Sequence, residues 1–171
     1  NTMLNDVKLY SIYVAGPDSV LDMTNNTFSG NSINAVLLGT DGLSGTHNSL
    51  RPQPGLAGYD FGVTYSSDIY TLLPSGTLNL EPGTIMRGVY GPWGKGIVFK
   101  VQGQLNAIGT PTEPVVFQAV EDSAPAAWGG IYVSSGSANL AAITIRNAGR
   151  GQGYPIFGTY PSLWVDAGGS L

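Results

Sequence analysis

Apolar residues recur along this chain in short runs of one form: an apolar residue, any residue, then valine, with glycine shortly after. Ile12-Tyr13-Val14 leads into Ala15-Gly16, and Phe99-Lys100-Val101 leads into Gln102-Gly103. Ile131-Tyr132-Val133 is followed by Ser134-Ser135-Gly136, and Leu163-Trp164-Val165 by Asp166-Ala167-Gly168. Val101, Val133 and Val165 are spaced at 32 residues. Looser members, Val36-Leu37-Leu38-Gly39 and Leu72-Leu73-Pro74-Ser75-Gly76, lie 24 residues after Val14 and 28 before Val101. A step of this size that varies by insertion marks a repeated unit stacked into a solenoid rather than a closed barrel.

Each unit holds further strands. Leu78, Leu80 and Ile85 alternate with polar neighbours in GTLNLEPGTIMRG, and Leu140, Ile143 and Ile145 do so less regularly. Val115-Val116-Phe117 is a short apolar run after Pro114. These runs are broken by Gly, Pro and Asn, with no helical stretch between them, which leaves no room for βαβ crossovers. Parallel strands then arise only if the chain coils, each turn resting on the last at ~4.8 Å. The expected fold is all-β, a parallel β-helix or β-solenoid of about six or seven coils with one long irregular excursion. Val101, Val133 and Val165 are expected to stack inside it with Leu78, Leu80, Ile143 and Ile145. Strand alternation then turns Tyr13, Lys100, Tyr132 and Trp164 outward as a ladder up one face.

The phrases GTLNLEPGTIMRG, GQLNAIGTPTEPVVFQAV, WGGIYVSSGSANLAAITIRNAG and NNTFSGNSINAV resemble repeats of right-handed parallel β-helix (pectin-lyase-like) segments of large bacterial or archaeal surface proteins. The resemblance covers most of the chain outside residues 40–66, and it speaks to coil geometry rather than chemistry. In that family the L-x-L-x-x-G-T phrase opens a module and NNTFSGNS falls late; here the late phrase comes first. The resemblance therefore implies that residues 1–39 end one β-helix module and residues 67–171 begin the next, within one continuous solenoid. Residues 40–66, rich in Gly and Pro and without alternation, read as the join between them or as a lateral loop.

Composition narrows the function. Of 171 residues only 11% are charged, and the polar complement is Ser, Thr, Asn and Gln. Seven scattered Lys and Arg against a net charge of −4 exclude a basic nucleic-acid surface. With no cysteine there is no disulfide framework and no thiolate metal site. No apolar run reaches the ~18–20 residues of a membrane span.

Candidate chemistry is sparse. The single histidine, His47, reads as a loop residue, and no His/Asp/Glu spacing suggests zinc. Asp18/Asp22 and Glu121/Asp122 are the acids closest together, and both pairs read as solvated turns. Asp166, the acid nearest the ladder, reads as a lone exposed carboxylate. Asn25 and Asn26 read as turn residues inside a glycosylation sequon, and Trp93 and Trp128 as anchors of turns.

The expected function is a non-catalytic structural segment of an extracellular or cell-surface protein: a stalk, adhesin or filament subunit. Other copies or modules of the same protein would be its partners, joined end to end by strand stacking. No cofactor is expected. One alternative is a carbohydrate-binding β-helix that holds surface glycans on the Tyr13, Lys100, Tyr132 and Trp164 ladder. A second is part of a polysaccharide lyase or hydrolase.

Overall fold

The structure, a computed structural model, describes residues 3–4, 10–19, 21–38, 42–62, 68–89, 96–149 and 161–171. Its regular elements are strands. The first six are β1 (Met3–Leu4), β2 (Tyr10–Val14), β3 (Thr27–Phe28), β4 (Ile33–Leu38), β5 (Thr46–Leu50) and β6 (Gly58–Phe61). Next come β7 (Ile69–Leu72), β8 (Thr77–Leu80), β9 (Ile85–Gly88), β10 (Val98–Val101) and β11 (Gln104–Ile108). The last are β12 (Val115–Ala119), β13 (Gly130–Val133), β14 (Ser137–Ala141), β15 (Ile143–Ile145) and β16 (Leu163–Val165).

All strand pairing is parallel, and the strands build three long sheets. The first has the order β7-β10-β13-β16, the second β5-β8-β11-β14, and the third β2-β4-β6-β9-β12-β15, with β1-β3 as a small fourth sheet. Three consecutive strands, one per sheet, make a turn: β7-β8-β9, then β10-β11-β12, then β13-β14-β15. The chain is thus a β-solenoid of about three complete turns, rather than the six or seven expected. The third sheet nevertheless stacks six strands, because incomplete turns at the N-terminal side contribute β2, β4 and β6 to that face.

Residues 40–66 were expected to be irregular, yet they supply β5 and β6. Gly58–Phe61 pairs with both β4 and β9, and Thr46 and His47 lie opposite Thr77 and Leu78. Alternation is hidden here because a one-residue bulge interrupts β5 between His47 and Leu50. His47 also takes the interior position that Leu78 takes in the next turn.

Side chains fill the interior in columns. Leu72, Val101 and Val133 stack in register and are fully buried. Leu72 lies beneath Val101, one residue earlier than the sequence spacing suggests. Val165 continues the column but is 38% exposed, since it belongs to the last rung. Leu78 and Leu80 are buried, while Ile143 and Ile145 are partly buried against the same core. Between the sheets, Phe61 packs on Phe99 at 5.2 Å, on Tyr70 at 5.7 Å and edge-on to Trp128 at 5.9 Å. Such pairs add stabilisation beyond the area they bury. Trp128 is wholly enclosed, and its indole N–H donates to the Arg146 carbonyl at 2.8 Å, tying the β12–β13 connection to the end of β15. Trp93, Asp6 and Asp41 lie outside the described residues.

After Val101, Val133 and Val165 the valine–glycine signature marks the corner between the first and second sheets. A Cβ on Gly103 would stand 2.2 Å from the Gly76 carbonyl oxygen and 2.3 Å from that of Leu73; one on Gly136 would stand 2.5 Å from that of Gly103. Gly76 accepts the Gln104 N–H at 2.8 Å, Gly103 that of Ser137 at 2.9 Å, and Gly136 that of Ser170 at 3.0 Å. Glycine is required here for close approach of backbones rather than for an unusual φ. Gly103→Ala should therefore cost at least the upper end of the ~1–3 kcal/mol typical of overpacking, since only backbone could yield. Gly16→Ala, whose Cβ would meet nothing closer than Ser19 Oγ at 3.5 Å, should be nearly neutral; urea denaturation of both variants checks the contrast.

His47, expected in a surface loop, is buried and fixed in one tautomer. Its Nε2–H donates to the Ser44 carbonyl at 2.8 Å, and Nδ1 accepts the Leu21 N–H at 3.4 Å. Burial pushes its pKa below the ordinary 6.5, against the Ser44 bond that favours the charged ring. A neutral ring buried in the folded state stabilises it fully above pH 6.5, and that contribution is lost as pH falls through the lower folded value. Wild-type stability should drop with acidification below pH 6.5 before carboxylates titrate, and His47→Gln should flatten that part of the profile. Equal slopes for both proteins in pH-dependent chemical denaturation would contradict this.

Candidate functional site

The outer face of the first sheet carries the expected ladder in part. Pairing aligns Thr71, Lys100, Tyr132 and Trp164 on β7, β10, β13 and β16. The Tyr132 and Trp164 rings stack with centroids 4.5 Å apart and planes inclined by 15°, and Lys100 Nζ lies 5.8 Å from the Tyr132 centroid. Because the rungs succeed one another along the axis, Tyr132 meets Trp164 on one face and the Lys100 ammonium on the other. The Tyr132 ring consequently presents its edge to solvent.

Tyr13 does not belong to this ladder. It sits on β2 in the third sheet, opposite Leu37, and is 51% exposed. The apolar–x–Val phrase describes a strand running into a corner, and strands of both sheets end that way. Nothing in the phrase distinguishes the two faces.

Asp166 is not the isolated carboxylate that its neighbours in sequence suggest. Its Oδ2 accepts hydrogen bonds from the Tyr132 hydroxyl and from Ser134 Oγ, the latter at 3.2 Å. The bond to Asp166 is the main reason the Tyr132 hydroxyl titrates above its ordinary value of 10.0, with the nearby negative charge acting in the same direction. Other ionisable groups are likewise tied to partners. Asp122 accepts from Arg146 at 2.9 Å and from Asn147 at 2.7 Å, Glu81 meets Arg51 at 2.7 Å, and Asp18 accepts from the Ser44 hydroxyl. Glu121 and Asp22 face solvent.

A buried ion pair escaped sequence reading. Asp60 on β6 is fully buried and takes a bidentate pair from Arg87 on β9, at 2.6 and 3.0 Å. Burial raises the Asp60 pKa, opposed by the Arg87 bonds and charge. Tyr10 leans on the same carboxylate, and its hydroxyl is pushed up to about 12, chiefly by burial and then by the Asp60 charge. Asp60 and Arg87 are 27 residues apart, and only the rung register brings them opposite one another.

A second missed feature lies on the outer face of the second sheet. Asn79, Asn106 and Asn139 align on β8, β11 and β14, and the Asn106 amide donates to Asn79 Oδ1 at 2.7 Å. Thr77, Gln104 and Ser137 form the neighbouring row. The signal was present as Gly-polar-x-Asn, in Gly76-Thr77-Leu78-Asn79, Gly103-Gln104-Leu105-Asn106 and Gly136-Ser137-Ala138-Asn139. This row borders a shallow groove of about 430 Å³ along the glycine corner, lined by Ser, Thr, Gln, Gly and Pro side chains and backbone. Asn25, read as a turn residue, has a positive φ of 56° and is exposed.

Among the described residues no group of three or more His, Asp or Glu side chains is placed to hold a metal ion, and no helix is long and apolar enough to cross a membrane. The fold defines the chain as a parallel β-solenoid. Comparison with protein-family models, curated proteins and solved structures returns no match.

The ladder geometry predicts a measurable coupling. Tyr132→Ala and Trp164→Ala should each destabilise the C-terminal rungs, and a double-mutant cycle should give about 0.5–1.5 kcal/mol of interaction between the rings. Additive single effects in thermal or urea melts would show that the stacked rings do not support one another.

Proposed function

We propose that this chain is a non-catalytic structural segment of an extracellular or cell-surface β-solenoid, extended by rung-on-rung strand stacking with further copies of itself or adjoining modules. The observation that carries the reading is the in-register parallel pairing of each rung with the next. Leu72, Val101, Val133 and Val165 form one interior column whose strands pair residue for residue, so a rung from a further copy or module extends it in the same parallel sense. Stacking of this kind joins unlike ends, so it propagates as a filament or stalk instead of closing as a pair.

The outer surface supports the same reading. Several of its ionisable groups are paired across adjacent rungs, as in Asp122–Arg146 and Arg51–Glu81. The extracellular setting rests on the resemblance of the repeat phrases to surface-protein segments. A glycan platform on the Lys100, Tyr132 and Trp164 ladder is the weaker alternative, because Tyr132 is sandwiched by its neighbours and offers no open ring face.

Sedimentation velocity tests the reading. The wild-type chain should form concentration-dependent, open-ended oligomers, and Val165→Lys should weaken them while leaving the far-ultraviolet circular dichroism intact. Monomers at every concentration, or unchanged association in Val165→Lys, would overturn it.

A further inference from the structure

The N-terminal side of the coil ends differently on each sheet. In the third sheet β2 is an ordinary outermost strand, and in the first Leu43 bridges to Leu72. In the second, β5 is the outermost strand, and an irregular strap, residues 16–19 and 21–23, lies along it without pairing as a strand. Side chains and single backbone groups tie the strap down. At one end the Ser44 N–H donates to the Pro17 carbonyl at 2.6 Å, and the Ser44 hydroxyl donates to Asp18 Oδ1. At the other, Gln53 Nε2 donates to the Met23 carbonyl at 3.1 Å, while Gln53 Oε1 accepts the Asn26 N–H at 2.9 Å. Between them the Leu21 N–H donates to His47 Nδ1 at 3.4 Å. Met23 is buried beneath the strap and Leu21 packs against the core.

We propose that this strap is an acid-released latch: a neutral His47 holds it shut, and protonation of the ring frees it and bares β5 as a pairing edge. The His47 Nε2–H is committed to the Ser44 carbonyl at 2.8 Å, so Nδ1 is where the ring takes up a proton. Once protonated, Nδ1 meets the Leu21 N–H donor to donor, and an attraction becomes a repulsion. The imidazolium is then a buried charge, which is costly unless a carboxylate meets it. Among the described residues none bonds the ring. Asp18 is exposed and accepts from Ser44, Asp22 is exposed on the strap, and Arg51, just past β5, pairs with Glu81. The Tyr59 and Tyr70 hydroxyls donate to the Arg51 and Leu38 carbonyls, and the residue opposite His47 on β8 is the uncharged Leu78. Moving the strap aside lets water reach the ring, so opening is the route by which it becomes charged. Burial holds the ring's pKa below 6.5 while the latch is shut. The closed form is therefore fully favoured above pH 6.5 and loses ground below it, by at most about tenfold per unit of pH.

The latch stands apart from end-to-end assembly; its control over assembly rests on that reading. Amide hydrogen exchange followed by NMR, at about pH 7.5 and about pH 5.5 and corrected for intrinsic rates, tests it. In the wild type, protection of the Leu21 and Ser44 amides should fall several-fold, up to about tenfold, at the lower pH. The Gln104 and Ser134 amides, bonded to Gly76 and Val101 in later turns, should keep theirs. His47→Gln can make both bonds without titrating, so Leu21 should stay protected at both pH values. His47→Leu, which matches Leu78 of the next turn, should leave Leu21 equally unprotected at both. Asp18→Asn should respond as the wild type does. Unchanged protection in the wild type, a wild-type response in His47→Gln, or a lost response in Asp18→Asn would overturn the proposal. Sedimentation of the same samples separates the latch from stacking. Acid-enhanced association that is absent in His47→Gln supports both, whereas lost protection without any association supports the latch and counts against stacking.

Discussion

The approach of one backbone to the next at the glycine corner is the constraint on which this solenoid depends. At Gly76, Gly103 and Gly136 a β-carbon would collide with carbonyl oxygens of the preceding turn, and the same glycines accept N–H groups from the following one. Each turn is thereby held directly over the last at the corner, with no sideways offset. Once the corner is fixed, the strands on either side pair in register along their whole length. Every column of side chains, inside or outside, follows from that superposition.

Registered columns make like residues meet. Inside, Leu72, Val101 and Val133 bury one another in a continuous core, and the aromatic rings of Phe61, Tyr70, Phe99 and Phe117 bridge the sheets. Outside, the same rule turns single polar residues into rows. An asparagine in each turn becomes a line of amides, and an aspartate opposite an arginine becomes a bidentate pair. That pair lies in a buried setting where breaking it by removing one partner would be costly, although a well-packed apolar replacement of both need not be.

The repeat itself, and so the fold class, was legible because corner and core use the same residue types in each turn. Spacing alone placed Lys100, Tyr132 and Trp164 in one column. It misplaced Tyr13, since strands of two different sheets share the same ending. The coil count was overestimated because partial turns read like whole ones. In residues 46–61 a buried histidine at a leucine position and a bulge in β5 erased the alternation on which strand recognition relies. The amide row could have been found from its Gly-polar-x-Asn phrase. The Asp60–Arg87 pair could not, because its partners come from strands whose register the sequence leaves open.

The irregular turns have a consequence of their own. A rod built from equivalent turns can nucleate with its rungs mismatched, each strand resting on the wrong neighbour at little loss of contact. Here the origin of the count is marked. The bulge in β5 has no counterpart in β8 or β11, His47 bonds only where Ser44 and Leu21 flank it, and Trp128 closes on the Arg146 carbonyl in one alignment. These departures from symmetry act as index marks, separating the native phase from its slipped copies and giving a monotonous fold one lowest-energy threading.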